Sequence, residues 1–252
     1  MNKIALITGA TSGIGKATAL LLAENNFDLI ITGRRSERLE SLKTEIQEKD
    51  QVEVLALTFD VRNYEEVQKN LGDLPKKWQK IDVLVNNAGL AVGTSTIDKG
   101  ELDDWNRMID TNVKGLLHVS KIIIPLLIEQ KKGHIINLSS IAGKEVYQSG
   151  NVYCASKHAA DALSQAMRID LLPHNIKVTN IAPGMVETEF SVVRYKGDQQ
   201  QADAVYQNMK PLLAKDIAEV ILFAAQRPAH VTLNDIVVMP TAQANTSHLK
   251  RE

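Results

Sequence analysis

From its first residues to near its last, the chain alternates between short apolar runs and longer amphipathic stretches. The apolar runs are Ile4–Thr8, Asp28–Thr32, Val52–Leu57, Asp82–Asn86, His134–Ser139, Lys177–Ile181 and Ile236–Met239. Between them lie Gly13–Glu24, Glu37–Lys49, Tyr64–Leu71, Leu102–Thr111, Val113–Lys131, Val152–Leu172 and Lys215–Gln226, which read as helices. A strand–helix–strand rhythm of this kind builds a parallel sheet, because parallel neighbours need a crossover long enough to hold a helix. The runs lack clean polar alternation, as expected of strands covered on both faces. Right-handed crossovers then leave few topologies. The expectation is one α/β domain over residues 1–252, a Rossmann-like doubly wound parallel sheet of about seven strands with helices on both faces. The stretch from Pro183 to about Gln200 carries no clear pattern, so the region around 183–210 is predicted to be an irregular lid.

Composition excludes several classes of function. A net charge of -1 indicates no broad basic face for nucleic acid. With Cys154 as the single cysteine, neither an intramolecular disulfide nor a multi-cysteine metal site can form, and no metal is expected. Cys154 itself reads as a reactive thiol or as a small buried helix residue. The longest uninterrupted apolar run, Ile122–Ile128, is too short to span a bilayer. The first strand starts without a preceding signal-type segment, so a cytoplasmic location is expected. Val113–Lys131 is apolar on more than one side and is interrupted by Pro125, which fits a subunit interface or deep packing equally.

The loops between these elements carry the chemistry. The first strand ends in Thr8-Gly9-Ala-Thr11-Ser12-Gly13-Ile14-Gly15, directly before a helix. Glycines there let backbone approach a phosphate, and the helix start offers free N–H groups. The second strand ends in Thr32-Gly33-Arg34-Arg35, with no carboxylate between Asp28 and Glu37. A carboxylate at this point would bind free ribose hydroxyls, whereas arginines suit a 2′-phosphate. The alternative is a solvated basic turn. Asp60 and Val61 follow the third strand, where an adenine could lie. Asn86-Asn87-Ala88-Gly89 follows the fourth, and Pro183-Gly184-Met185-Val186-Glu187-Thr188 follows the sixth. All fall at the strand ends where ligands bind in such sheets. Asn112, between two helical stretches, reads as a helix breaker.

Ser140 lies just past the fifth run, Tyr153 thirteen positions on, and Lys157 four beyond that. In a helix starting near Val152, Tyr153 and Lys157 share a face. An ammonium beside a phenol favours the phenolate, so Lys157 is expected to lower the Tyr153 pKa and make it a general acid/base. Arg194 is expected to recognise a substrate carboxylate with a two-pronged donor, and Tyr147 and Phe190 to supply an apolar wall; the alternatives are a surface arginine or one that reaches a cofactor phosphate or a neighbouring subunit.

Taken together these motifs resemble the short-chain dehydrogenase/reductase family over nearly the whole chain. The resemblance implies an NADP-dependent oxidoreductase in which Tyr153 exchanges the proton, Ser140 polarises the substrate oxygen and Lys157 holds the nicotinamide ribose. Asn112 then positions water in a relay to Lys157. Gly9, Thr11, Ser12, Gly13, Ile14, Gly15, Arg34, Arg35, Asp60, Val61, Asn86, Ala88, Gly89, Tyr153, Lys157, Pro183, Gly184, Val186 and Thr188 are implied to hold the cofactor. The substrate would meet Ser140, Tyr147, Tyr153, Phe190 and Arg194. Gly150-Asn151-Val152-Tyr153, the run Glu189–Asp198 and Pro228-Ala-His-Val231 look like the NADP-dependent 3-hydroxy acid dehydrogenase branch. That branch oxidises serine, L-allo-threonine and 3-hydroxyisobutyrate and reduces the matching semialdehydes. Its members are homotetramers that pair at the Leu102–Lys131 and Val152–Leu172 positions. The competing readings are a reductase of uncharged carbonyl or ketoacyl substrates and a nucleotide-sensing module without catalysis.

Overall fold

The computed structural model describes residues 2–252. Seven strands form one sheet: β1 (Lys3–Ile7), β2 (Phe27–Gly33), β3 (Val54–Thr58), β4 (Ile81–Asn86), β5 (Gly133–Leu138), β6 (Ile176–Pro183) and β9 (Asp235–Val238). Their order is β3-β2-β1-β4-β5-β6-β9, and every pairing is parallel. The order reverses between β1 and β4, which opens a crevice at the carboxyl ends of the strands. The second small sheet pairs β7 (Val186–Glu187) with β8 (Leu212–Leu213).

Both faces of the central strands are buried, as the unbroken apolar runs require, while the edge strand β9 stays partly exposed. On one face Ile7, Leu29 and Ile31 pack with Leu22 of α1 (Gly13–Glu24), Leu39 of α2 (Ser36–Lys49) and Ile221 of α9 (Ala214–Ala225). On the other, Leu6, Ile30, Leu84 and Ile135 pack with Leu71 of α3 (Tyr64–Gly72) and Ile123 and Leu127 of α5 (Leu116–Gln130). Side chains alternate across each strand, so neighbouring residues feed opposite cores.

Two expectations are corrected. Asn112 does not break a helix: α4 (Leu102–Ile109) runs through a π-helical segment, Asp110–Gly115, into α5 as one helical stretch, Leu102–Gln130. Asn112 is held inside it by tertiary bonds, and a Cβ at Gly115 would lie 2.7 Å from Val61 Cγ2. Pro125 is likewise carried within the helix. By length and composition alone this stretch could cross a bilayer, but its Val119, Ile123 and Leu127 pack on the sheet.

The region after Pro183 is not irregular. It holds β7, α7 (Phe190–Arg194) and α8 (Gln199–Ala204) before β8. Tyr206 ties the region together, its hydroxyl donating to Val186 O at 2.8 Å and lying 2.7 Å from Ser191 Oγ.

Candidate active site

A cleft of about 540 Å³ runs along the crevice, from the glycine loop to Ser140, Tyr153 and Lys157. The loop after β1 turns through Gly9 (φ 68°) and Gly13 (φ 52°), conformations that glycine adopts without strain. Thr11, Ser12, Gly13 and Ile14 face the cleft at the start of α1. Gly15 acts differently from expectation. A Cβ there would lie 2.4 Å from Gly9 O and 2.5 Å from Asn87 Nδ2, so Gly15 lets α1 pack against the turn rather than lining the cleft.

Arg34 and Arg35 both line the cleft but are not equivalent. Arg35 donates to Thr11 Oγ1 at 2.8 Å and Ser12 Oγ at 3.0 Å and meets Glu189 at 3.2 Å, so much of its capacity stiffens the loop. Arg34 is more than half exposed, with Asp60 at 3.8 Å. Burial works to raise the Asp60 pKa, but the Arg62 bonds and the Arg34 charge hold it below the ordinary carboxylate range. Sequence reasoning missed Glu189, whose carboxylate crosses the cleft mouth to Arg35 and to Arg38 at 2.8 Å. Nothing in the local sequence signals this pairing, since the partners lie about 150 positions apart.

The Asn-Asn-Ala-Gly turn divides its work. Asn87 fastens the turn to the glycine loop, donating to Thr8 O at 2.8 Å and Gly9 O at 3.2 Å. Ala88 and Gly89 line the cleft. Asn86 was expected there too, but it is the last residue of β4 and points to the opposite side. Its amide donates to Ser120 Oγ (3.1 Å) and Asn137 Oδ1 (2.9 Å) in the core. Asp60, Val61, Pro183, Gly184, Val186 and Thr188 lie in the cleft wall as expected.

Ser140, Tyr153 and Lys157 converge. Ser140 leaves β5 and accepts from Ala142 N at 3.1 Å, and its hydroxyl donates to Pro183 O at 3.4 Å. Tyr153 and Lys157 sit in the first half of α6 (Asn151–Asp170). Lys157 Nζ donates to Leu138 O at 2.9 Å and lies 6.0 Å from the centre of the Tyr153 ring. Burial draws its pKa down to about 8. The expected lowering of the Tyr153 pKa is overturned for this geometry: burial raises it, neighbouring Tyr147 adds to the rise, and the Ser140 hydroxyl and Arg194 only partly offset it. The helical spacing puts Lys157 on the right face, but its ammonium reaches past the phenol to the β5 carbonyl. Asn112 stands behind this group. Its Oδ1 accepts from Leu90 N and its Nδ2 donates to Leu90 O, both at 2.8 Å, and to Ser156 Oγ at 2.9 Å. A Cβ at Gly89 would lie 3.3 Å from both Asn112 Oδ1 and Lys157 Nζ, so these two groups flank one glycine.

The other three expected substrate residues, Tyr147, Phe190 and Arg194, also come together at this end. The Phe190 and Tyr153 rings are 5.7 Å apart. The Arg194 guanidinium lies 5.3 Å from the Tyr147 ring centre and 5.9 Å from that of Tyr153. Its Nε is buried with no hydrogen-bond partner among the described residues. The C-terminal segment also reaches the cleft, which sequence reasoning did not foresee: Gln243 Oε1 accepts from Met185 N at 2.8 Å, and Thr246 and Leu249 add to the wall.

The chain is similar to known proteins over its whole length. The short chain dehydrogenase profile matches residues 3–199. The chain is 43% identical to an NADP-dependent 3-hydroxy acid dehydrogenase of Schizosaccharomyces pombe, over 100% of this chain and 97% of that one. It is 45% identical to sulfoacetaldehyde reductase 2 of Chromohalobacter salexigens, over 97% and 96% of the two chains. The closed form of a serine dehydrogenase complexed with NADP+ superposes with a TM-score of 0.92 at 41% identity, covering 99% of this chain and 100% of that one.

Proposed function

The chain belongs to the short chain dehydrogenase family, and from that membership we propose that it exchanges a hydride between NADP(H) and a small 3-hydroxy acid or the matching semialdehyde. It is an NADP-dependent oxidoreductase acting on a CH–OH group. The observation that carries the acid specificity is Arg194: a guanidinium beside the Tyr153 ring, with a buried unpartnered Nε, supplies a cation next to the catalytic group rather than inside it. A 3-hydroxy acid carries its carboxylate two carbons from the reacting carbon, which suits that offset. Tyr147 and Phe190 wall off water and so strengthen the pairing.

The residues fit the cofactor. The Gly9–Ile14 turn and the start of α1 form a backbone cradle for the pyrophosphate, and Arg34 has donors free for a 2′-phosphate. Lys157, buried and charged, would hold the ribose hydroxyls. The bound nicotinamide supplies or accepts the hydride, and the chain provides orientation and proton handling. In the oxidative direction Tyr153 takes the hydroxyl proton while the Ser140 hydroxyl bonds the same substrate oxygen; in reduction Tyr153 returns it. Asn112 holds the Leu90 segment against Lys157, where a relay to solvent would start.

A sulfonate in place of the carboxylate is the second reading, favoured by the Chromohalobacter relative. Sulfoacetaldehyde and malonic semialdehyde both place their anion one methylene beyond the aldehyde, so Arg194 would read either. We also propose a homotetramer paired through α4, α5 and α6, where Leu102 and Leu117 are exposed. Steady-state rates with Arg194→Met test the acid reading. Turnover of serine or 3-hydroxyisobutyrate should fall steeply while an uncharged carbonyl substrate and the cofactor KM are spared. A parallel loss on both substrate types would reject it.

A further inference from the structure

We infer that Asp104 and Lys196 form a clasp that positions Arg194 over the catalytic tyrosine, which makes this ion pair a determinant of selectivity for anionic substrates. The inference rests on the acid reading above and assigns the residues that make it work.

Asp104 lies on α4 and is buried, with a relative exposure of 6%. A buried carboxylate is costly unless paired. Its partner is Lys196, whose Nζ lies 2.7 Å from Asp104 Oδ2 and which follows α7 by two residues. The backbone is shaped for this contact. Lys196 adopts a left-handed conformation (φ 54°) and Gly197 follows at φ 94°, so the chain turns back at the end of α7 toward α4.

A second anchor stands on the other side. Gly93 N donates to Arg194 O at 2.9 Å. Gly93 is itself left-handed at φ 75°, and a Cβ there would lie 2.6 Å from Asp104 Oδ2. The Asp104 carboxylate therefore rests against the residue that holds the Arg194 carbonyl, and it also grips the ammonium two residues further on. Arg194 is thus held by an amide at its own carbonyl and by a carboxylate two residues further on.

Its own side chain forms no ion pair with any described residue, and its guanidinium lies over the Tyr147 and Tyr153 rings. The aim of the guanidinium thus depends on where the backbone is held. An exposed ion pair would contribute little, but here one partner is buried and the other belongs to the segment that covers the site.

The test uses the full-length enzyme with Lys196→Met, Asp104→Asn, the uncharged double variant, Lys196→Arg and Arg194→Met. Rates are measured on 3-hydroxyisobutyrate and on an uncharged carbonyl compound, with melting temperature as the check on folding. A small misplacement of a recognition group should lower kcat/KM for the acid about tenfold to a hundredfold, mainly through KM. Cofactor KM and turnover of the uncharged substrate should stay close to those of the wild type. Lys196→Arg should restore most of the acid activity. In an Arg194→Met background, removing Lys196 should cost nothing more, because coupled residues are not additive.

Equal losses on both substrates, in the single and the uncharged double variants alike, would make the pair a mere lid fastener and overturn the inference. Acid turnover that survives Lys196→Met but not Arg194→Met would overturn the clasp and leave the acid reading standing. Acid turnover that survives Arg194→Met would reject both.

Discussion

Replacing Arg34 by aspartate should erase most of the preference for NADPH over NADH. Arg34 has a more than half-exposed side chain, and among the described residues its one ion-pair partner is Asp60 at 3.8 Å. Arg35 spends its donors on Thr11, Ser12 and Glu189. The 2′-phosphate should therefore depend on Arg34 more than on Arg35. A hydrogen bond to a charged group contributes roughly 1.5–3 kcal/mol, and every 1.4 kcal/mol is about tenfold. Solvent exposure argues for the lower half of that range. The variant also sets a new carboxylate beside Asp60, which repels a phosphate further. The expected fall in the NADPH/NADH ratio of kcat/KM is about tenfold to a hundredfold, nearly all from NADPH. Steady-state rates with both cofactors, plus fluorescence titration of NADPH, measure it. Arg35→Ala should instead weaken both cofactors, because it loosens the phosphate loop. An unchanged ratio in Arg34→Asp, or a selective loss in Arg35→Ala, would refute this division of labour.

Tyr153→Phe should keep the fold and cofactor affinity while lowering kcat by about 10²–10⁴-fold, the usual range for a general acid–base group; near-normal turnover would remove Tyr153 from the mechanism. Since the Tyr153 pKa is raised, oxidation, which needs the deprotonated base, should climb with pH well into the alkaline range. Reduction, which needs the phenol, should be flat across neutrality, and the reverse pattern in the two directions would contradict the assignment. Lys157 is shifted from 10.5 to about 8 in the fold, so between these values the unfolded chain binds more protons and the lysine's burden on stability is relieved as pH rises. Denaturant titrations of wild type and Lys157→Met should show the difference moving in favour of wild type over that window, and a constant difference would count against a buried charged lysine. Gly15→Ala should lower the melting temperature, because its Cβ would meet Gly9 O at 2.4 Å and the loss from such overpacking is about 1–3 kcal/mol; an unchanged melting temperature would mean the turn yields freely.

The sheet was legible because its evidence is local and repeated: the strands are apolar runs, and helical stretches separate each from the next. The glycine loop and the Ser140–Tyr153–Lys157 set were legible because their spacing survives into three dimensions. What misled was reading propensity where packing decides. Asn112 looks like a helix breaker, yet it is tied to Leu90 and Ser156, and nearby Gly115 makes room for Val61. Asn86 occupies a strand end, but strand alternation turns it away from the crevice while Asn87 faces the glycine loop. Helical spacing predicted that Lys157 and Tyr153 share a face, but not that the ammonium would bond Leu138 O. Glu189 with Arg35 and Arg38, and Gln243 with Met185, join distant positions by side chains that no local pattern announces.

The central claim is that the site reads an anion beside the reacting carbon. The most direct measurement compares wild-type kcat/KM for 3-hydroxyisobutyrate with that for its methyl ester, followed as NADP+ reduction. Charge-assisted recognition by Arg194 predicts that the acid is favoured at least about tenfold, from a hydrogen bond of roughly 1.5–3 kcal/mol. An ester turned over as well as the acid, or better, would contradict the account and point to an enzyme of uncharged carbonyl substrates.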